Sequence, residues 1–258
     1  MKYEELIFKI PEQSPDYEEC SRYATSSIND IVINAINQKK NQIVLHTNLR
    51  HGLPLENINK IAGPLVEAWA FETFENVFED NLNRYQLIHV EAMPRLNMAD
   101  IVLQFKRQRK TESAITVEID VKSTSEDIDS SGKSPNITSF ERIRCAYVDD
   151  PDYLFIILSI KHRVYSQPNE KGLKVQIMEI VDSTAYDLKH LSSSDISYNP
   201  ALGTGQIQVR DIHYVTLTPR TTWDFCQLLD AKFINSSKKG FDTWYDLAIK
   251  NGWIKTDD

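Results

Sequence analysis

The chain of 258 residues has three cysteines, Cys20, Cys145 and Cys226, widely spaced and with no CxxC pair among them. An odd, scattered set forms no disulfide framework and no zinc site, so these are expected to be reduced core thiols. No apolar run approaches the ~18 residues needed to cross a bilayer. The N-terminal stretch MKYEELIFKIPEQS has neither the apolar centre nor the small-residue cleavage site of a signal peptide, so a cytoplasmic protein with no membrane partner is expected. Basic charge is also short, with 29 Lys and Arg against 37 Asp and Glu and a net charge of −8. That balance argues against nonspecific coating of nucleic acid, which draws on cations to displace counterions. It leaves room for an enzyme whose carboxylates hold metal ions and whose basic residues gather in one cleft. The six histidines show no HxxxH or HNH spacing and no GxxxxGK[ST] loop exists, which removes support for zinc hydrolysis and nucleotide-driven activity. Repeats, low-complexity tracts and an interdomain linker are absent.

With 41% hydrophobic residues the chain can bury a large core. One α/β domain over residues 1–258 is expected, with two left open. Apolar residues from Tyr17 to about Lys39 recur at helical spacing, as do those from about Leu55 to Phe78, where Gly63 and Pro64 should break or kink the helix. QLIHVEA from Gln86, ADIVLQF from Ala99 and AITVEIDVK from Ala114 read as strands, the last two joined by the polar hairpin connection KRQRKTES. Ser134 and Pro135 look like an N-cap and first helical position for a helix through Tyr147. YLFIILSI from Tyr153 is apolar on both faces and should be a central strand. LKVQIMEIV from Leu173 and QIQVRDIHYV from Gln206 are further strands, with helices from Thr222 to Phe233 and Phe241 to Lys250. The fold class is therefore α/β, a mixed central sheet flanked by helices.

The strand TVEIDVKSTS from Thr116 carries Glu118, Asp120 and Lys122 on one face, because side chains alternate with period two. A solvated edge strand would carry the same residues. Asp100, at the start of the predicted partner strand, changes the balance, since two carboxylates and an ammonium can then share one small volume. Such a group suits phosphodiester hydrolysis assisted by a hard cation such as Mg²⁺.

Asp100, a spacer and then Asp120-x-Lys122 resembles the PD-(D/E)xK nuclease superfamily, with Ala99 in the position of that motif's proline. Three longer strings, ENINKIAGPLVEAWA from Glu56, DVKSTSEDIDSSGKSPNITSFERIR from Asp120 and SDISYNPALGTGQIQVRDIHYV from Ser194, closely resemble the HpaI family of type II restriction endonucleases. A more distant resemblance is to the HincII enzymes. The resemblance covers nearly the whole chain and implies a restriction-endonuclease-like fold with a catalytic core over about residues 55–182. It implies Asp100, Asp120 and the backbone carbonyl of Val121 as metal ligands, and Lys122 as the group that positions the attacking water. Glu67, in the preceding helix, would support the metal site or else be a solvated helix carboxylate, and Glu118 is expected to be dispensable. It further implies Mg²⁺ as cofactor, with Mn²⁺ substituting and Ca²⁺ supporting binding without cleavage. The partners implied are double-stranded DNA, a second copy of the chain as a homodimer, and a cognate DNA methyltransferase. The expected site is GTTAAC, cut to blunt ends.

Asn and Gln pair bidentately with adenine in the major groove. Two segments offer them, about 133–144 and 198–210. In the first, the resemblance to HincII implies Lys133, Ser134 and Asn136 as DNA contacts, with Arg142 as a basic residue placed for phosphate. The second would by its residues alone be a plain turn, and the family resemblance implies Asn199, Ala201, Gly203, Thr204 and Gln206 as contacts there, followed by Arg210. Arg144, Arg50 and His51 are further candidates for phosphate contact, whereas KRQRK from Lys106 reads better as a solvated hairpin tip. Two other functions fit these residues: a repair or recombination nuclease reading DNA structure, and a noncatalytic DNA-binding module.

Overall fold

A strand apolar on both faces needs cover on both sides, and Phe155–Ile160 receives it at the centre of a sheet. The computed structural model describes residues 2–106, 114–201 and 203–255, so the expected KRQRKTES connection lies, apart from Lys106, outside the described residues. The chain forms two compact units, one built from Cys20–Lys133 and Phe155–Asp187, the other from Met1–Glu19, Ser134–Leu154 and Leu188–Asp258. Strands and helices are numbered along the whole chain.

The first unit holds a six-stranded mixed sheet. Its strands are β1 (Gln42–Leu45), β2 (Leu87–Ala92), β3 (Ile101–Phe105), β4 (Ile115–Ser125), β6 (Phe155–Pro168) and β7 (Lys174–Asp187), in the spatial order β1-β7-β6-β4-β3-β2. β4 and β6 run parallel and the other neighbours antiparallel. Phe155, Ile156, Ile157, Leu158 and Ile160 are all fully buried, as a two-sided strand requires. The helix α1 (Tyr17–Asn37) buries Ala24, Ile28, Ile31 and Val32 at the expected spacing. Its Asn29 side chain accepts from the N–H of Ala185 on β7 (2.8 Å) and donates to the same residue's carbonyl (3.2 Å). The expected second helix is split as α2 (Leu55–Lys60) and α3 (Ala62–Phe78). The break falls at Ile61, and Pro64 sits in the first turn of α3, where no N–H partner is needed. α3 packs on β2 and β4 through Val66, Ala70 and Phe74.

The second unit is built on a three-stranded antiparallel sheet of β5 (Asn136–Ser139), β8 (Ile196–Asn199) and β9 (Gln206–Val209), in the order β5-β9-β8. Its helices are α4 (Phe140–Asp149), α5 (Thr222–Ile234) and α6 (Phe241–Lys250). The helix expected from Ser134 starts later, because Asn136, Thr138 and Ser139 pair with β9 and Ser139 is the N-cap, accepting from the Arg142 N–H at 3.3 Å. The β-branched pair Ile137 and Thr138 suits a strand better than a first helical turn. The strand expected over QIQVRDIHYV stops at Val209, where the Asp211 carboxylate accepts from the N–H groups of His213 (3.2 Å) and Tyr214 (3.3 Å) and forms a turn.

An ion pair lies at the core of this unit. Arg144 and Asp230 are both fully buried, with Nε and Nη2 donating to the carboxylate at 3.0 and 3.2 Å. The guanidinium lies 4.9 Å from the Trp253 ring centroid, and Tyr3 donates its hydroxyl to the same Asp230 at 2.8 Å. Arg144 is thus an architectural residue, and the expectation that it contacts phosphate is corrected. Among the described residues no helix is long and apolar enough to cross a membrane.

Candidate functional site

β4 is not an edge strand. β3 lies on one side of it, with Ile101 opposite Ile119, and β6 on the other, with Asp120 opposite Ile157 and Lys122 opposite Ser159. With both edges of β4 paired the edge-strand reading of TVEIDVKSTS does not hold, and the burial of Asp120 on the charged face removes a fully solvated one. Asp120 is 3% exposed.

Local pairing fixes the geometry. Asp100 continues the β3–β4 ladder, its N–H donating to the Ile119 carbonyl at 2.8 Å, and its Oδ2 accepts from the Val121 N–H at 2.8 Å. The Asp100 carboxylate is therefore pinned beside the backbone that carries Asp120. Lys122 donates from Nζ to Asp120 Oδ1, while Oδ2 of the same carboxylate is buried and receives no donor among the described residues, with the Asp100 carboxylate as its side-chain neighbour. Burial pushes the Asp120 carboxyl up to about 7, Asp100 adds to that rise, and Lys122 opposes it. Glu67 reaches the same volume from α3. Its carboxyl is raised first by partial burial and then by the charge of Asp100, and is pulled back by Lys122, so it shares an electrostatic environment with both. Glu118 is half-exposed, one step back along the β4 face.

This donor set fits a hard cation. Its atoms are oxygens, two carboxylates are held close together, and one buried carboxylate oxygen lacks the partner that burial ordinarily demands. Among the described residues no three acidic, histidine or cysteine side chains form a cage of their own.

The second unit brings the two expected reading segments onto one small sheet. β5 and the turn before it supply Ser134 and Asn136, and the β8–β9 hairpin supplies Asn199, Ala201, Gly203, Thr204 and Gln206. The hairpin is internally braced. Asn199 Oδ1 accepts from the Ala201 N–H at 3.0 Å, Tyr198 donates its hydroxyl to the Thr204 carbonyl at 2.7 Å, and Lys239 Nζ donates to the Gly203 carbonyl at 2.8 Å. Gly205 has φ +85°, and a Cβ there would overlap the Tyr198 ring and hydroxyl, so both conformation and space demand glycine. Arg142 and Arg210 are exposed, as are Lys133, Arg50 and His51. Gln208 was not among the expected contacts although it shares the β9 face with Gln206, and the alternation of polar Gln206, Gln208 and Arg210 with buried Ile207 and Val209 marks it.

A sheet that sets Asp100 beside an Asp120-x-Lys122 strand is an arrangement that fits a nuclease. Sequence comparison takes the assignment further. The family model for type II restriction endonuclease HpaI matches residues 4–252. The type II restriction enzyme HpaI of Haemophilus parainfluenzae is 54% identical over 256 residues, covering 99% of this chain and 100% of that enzyme. The chain belongs to the HpaI family of type II restriction endonucleases, nucleases that cleave DNA at specific sites. A solved structure of the NlaIV restriction endonuclease aligns over 85% of this chain and 83% of its own, with TM-score 0.45 and 12% identity, a likeness too slight to carry argument.

Proposed function

We propose that the chain is a Mg²⁺-dependent endonuclease that cuts both strands of GTTAAC to blunt ends as a cytoplasmic homodimer, leaving 5′-phosphate and 3′-hydroxyl groups. The observation that carries this reading is the buried Asp120 on an interior strand, with Lys122 on one oxygen and the other unpartnered. A palindromic site suits a two-fold dimer, because each subunit then meets the same half-site. Asp100, Asp120 and the Val121 carbonyl would hold the cation, with Glu67 supporting them. Mg²⁺ bound there supplies Lewis acidity to the scissile phosphate and acidity to a water at neutral pH. Lys122, anchored by Asp120, orients the attacking water and offsets charge on the phosphoryl oxygens as the transition state forms. Asp100, tethered by the Val121 N–H, keeps its carboxylate in place without a change of rotamer during the reaction. Mn²⁺ would replace Mg²⁺, and Ca²⁺ would support binding alone. Lys133, Ser134, Asn136, Asn199, Ala201, Gly203, Thr204 and Gln206 would face the bases or adjacent backbone, and Arg142 and Arg210 the phosphates. A methyltransferase of the same specificity would protect the host's own sites.

Digestion of a plasmid of known sequence in Mg²⁺, with the fragment ends mapped, tests the whole reading. Blunt ends within GTTAAC are expected, and random or structure-dependent nicks would overturn it. Lys122→Ala should lower the cleavage rate by about 10²–10⁴-fold while retaining site-specific binding in Ca²⁺. A variant cutting at the normal rate would remove Lys122 from the site.

A further inference from the structure

The outward face of the β5–β9 pair contains a hydrogen-bonded unit whose polarity is fixed by the backbone. Asn136 and Gln208 are register partners, with a bulge directly after Asn136. Gln208 Nε2 donates twice, to the Ser134 carbonyl at 3.0 Å and to Asn136 Oδ1 at 3.0 Å. Amide groups are ordinarily ambiguous as to which end carries nitrogen, but a backbone carbonyl can only accept. Ser134 therefore forces Gln208 to present its NH₂ inward, and that NH₂ forces Asn136 to present its oxygen. Ser134 is itself held in a left-handed conformation, φ +50°, with its N–H donating to the Arg210 carbonyl at 3.0 Å. A non-glycine residue in that region is uncommon and needs surroundings that enforce it.

What remains is an outward pair of opposite character. Asn136 Nδ2 and Gln208 Oε1 have no partner among the described residues, Asn136 is exposed, and Gln208 is half-exposed. One donor beside one acceptor has a single complement on the major-groove edge of any one base. Adenine offers an acceptor at N7 next to a donor at N6, whereas guanine offers two acceptors, cytosine a donor, and thymine an acceptor with a methyl. Guanine would set its O6 against the Gln208 oxygen.

We propose that Asn136 and Gln208 read one adenine together, Asn136 donating to N7 and Gln208 accepting from N6, with Gln208 also positioning Asn136 through its second N–H. This rests on the reading that this face meets the recognition site. The pair shares between two residues the contact that a single Asn or Gln otherwise makes, and Ser134 sets its direction before DNA arrives.

The test uses duplexes carrying the mapped site, with each adenine replaced in turn by purine, which lacks the N6 amino group, or by 7-deazaadenine, which lacks N7. Binding is measured by fluorescence anisotropy in Ca²⁺ for Lys122→Ala and for Lys122→Ala combined with Gln208→Ala or Gln208→Glu. At one adenine of the half-site both analogues should weaken Lys122→Ala binding about 10- to 100-fold. The Gln208 variants should lose a similar factor on unmodified DNA and become indifferent to either analogue at that position alone. A purely architectural role would lower affinity while leaving the sensitivity to analogues unchanged, and that result overturns the proposal. Should the Gln208 variants not fold, Lys122→Ala combined with Asn136→Ala decides, since loss of the sensitivity to 7-deazaadenine at that one adenine supports the pair and its retention overturns it. If Lys122→Ala shows no preference for the site, the functional reading fails and takes this inference with it. If it shows the preference and the Gln208 variants keep the full analogue profile, only this inference falls.

Discussion

Asp120 and Asp230 are both buried carboxylates, one in each compact unit, and the chain treats them differently. Asp230 accepts from Arg144 Nε, Arg144 Nη2 and Tyr3 Oη, so its charge is matched and its lone pairs are used. Asp120 has Lys122 on one oxygen and, among the described residues, no donor on the other, which faces a second carboxylate, Asp100. Stability alone favours the first arrangement, because an unsatisfied buried polar atom costs about 1–3 kcal/mol. The contrast lies in the two carboxylates: Asp230 receives donors on both oxygens and ties Arg144 and Tyr3 into the core, whereas Asp120 keeps one oxygen without a donor beside a second carboxylate, Asp100. A third treatment appears on the β5–β9 face, where polar groups are exposed but already oriented.

The comparison breaks most sharply at Asp120. Asp120→Asn should abolish measurable cleavage, a fall of at least about 10³-fold, while raising the melting temperature of the metal-free protein by a few degrees. Its pH dependence has a defined sign. The folded-state pKa, about 7, lies above the ordinary carboxylate value. The native carboxyl therefore keeps its proton where the unfolded one has lost it, and the stability this gives is fully present below the unfolded pKa and lost as pH rises through about 7. Melting curves in EDTA from pH 4 to 8 should show that decline in the native sequence and a flatter profile for Asp120→Asn. A lower melting temperature for the variant would place Asp120 with Asp230 as an architectural residue.

Two arginines two residues apart on α4, and so on opposite sides of the helix, sharpen the other side. Arg144→Ala strands the Asp230 charge in the core and should cost about 3–5 kcal/mol, read from denaturant unfolding. Arg142→Ala, on the exposed side of α4, should leave stability within about 0.5 kcal/mol and reduce the salt dependence of DNA binding by about one unit of slope. Equal losses of stability from both would mean that the division between core and DNA-facing arginines is wrong.

Much of the first unit was legible because its signals are local. Period-two alternation places Glu118, Asp120 and Lys122 on one side of β4, helical spacing gives α1 and α3, and an unbroken apolar run puts β6 inside. The interior place of β4 was not legible, since it depends on the parallel neighbour β6, which returns only after a long excursion of chain. The second unit was harder for the same reason. β5 and β8 are four residues each and exist through pairing with β9, so Asn136 can be assigned to a strand only once Gln208 is known to lie opposite. Arg144 looked like any basic residue on a helix near a reading segment, and its partner Asp230 lies 86 positions away. Distant pairing decided each of these cases, and periodicity does not report it.

Gly205 sets a limit on how this family member can acquire a new specificity. Its backbone conformation and the Tyr198 ring leave no room for a side chain, so a mutational search through the β8–β9 hairpin has a dead position fixed among variable ones. Substitutions at Ala201 or Thr204 can be sampled singly, whereas Gly203 is held to glycine by its left-handed backbone, φ +51°, and any path through position 205 requires Tyr198 to change first, although Tyr198 also braces the turn through the Thr204 carbonyl. Productive variation in this hairpin is thereby confined to its positions other than 203 and 205.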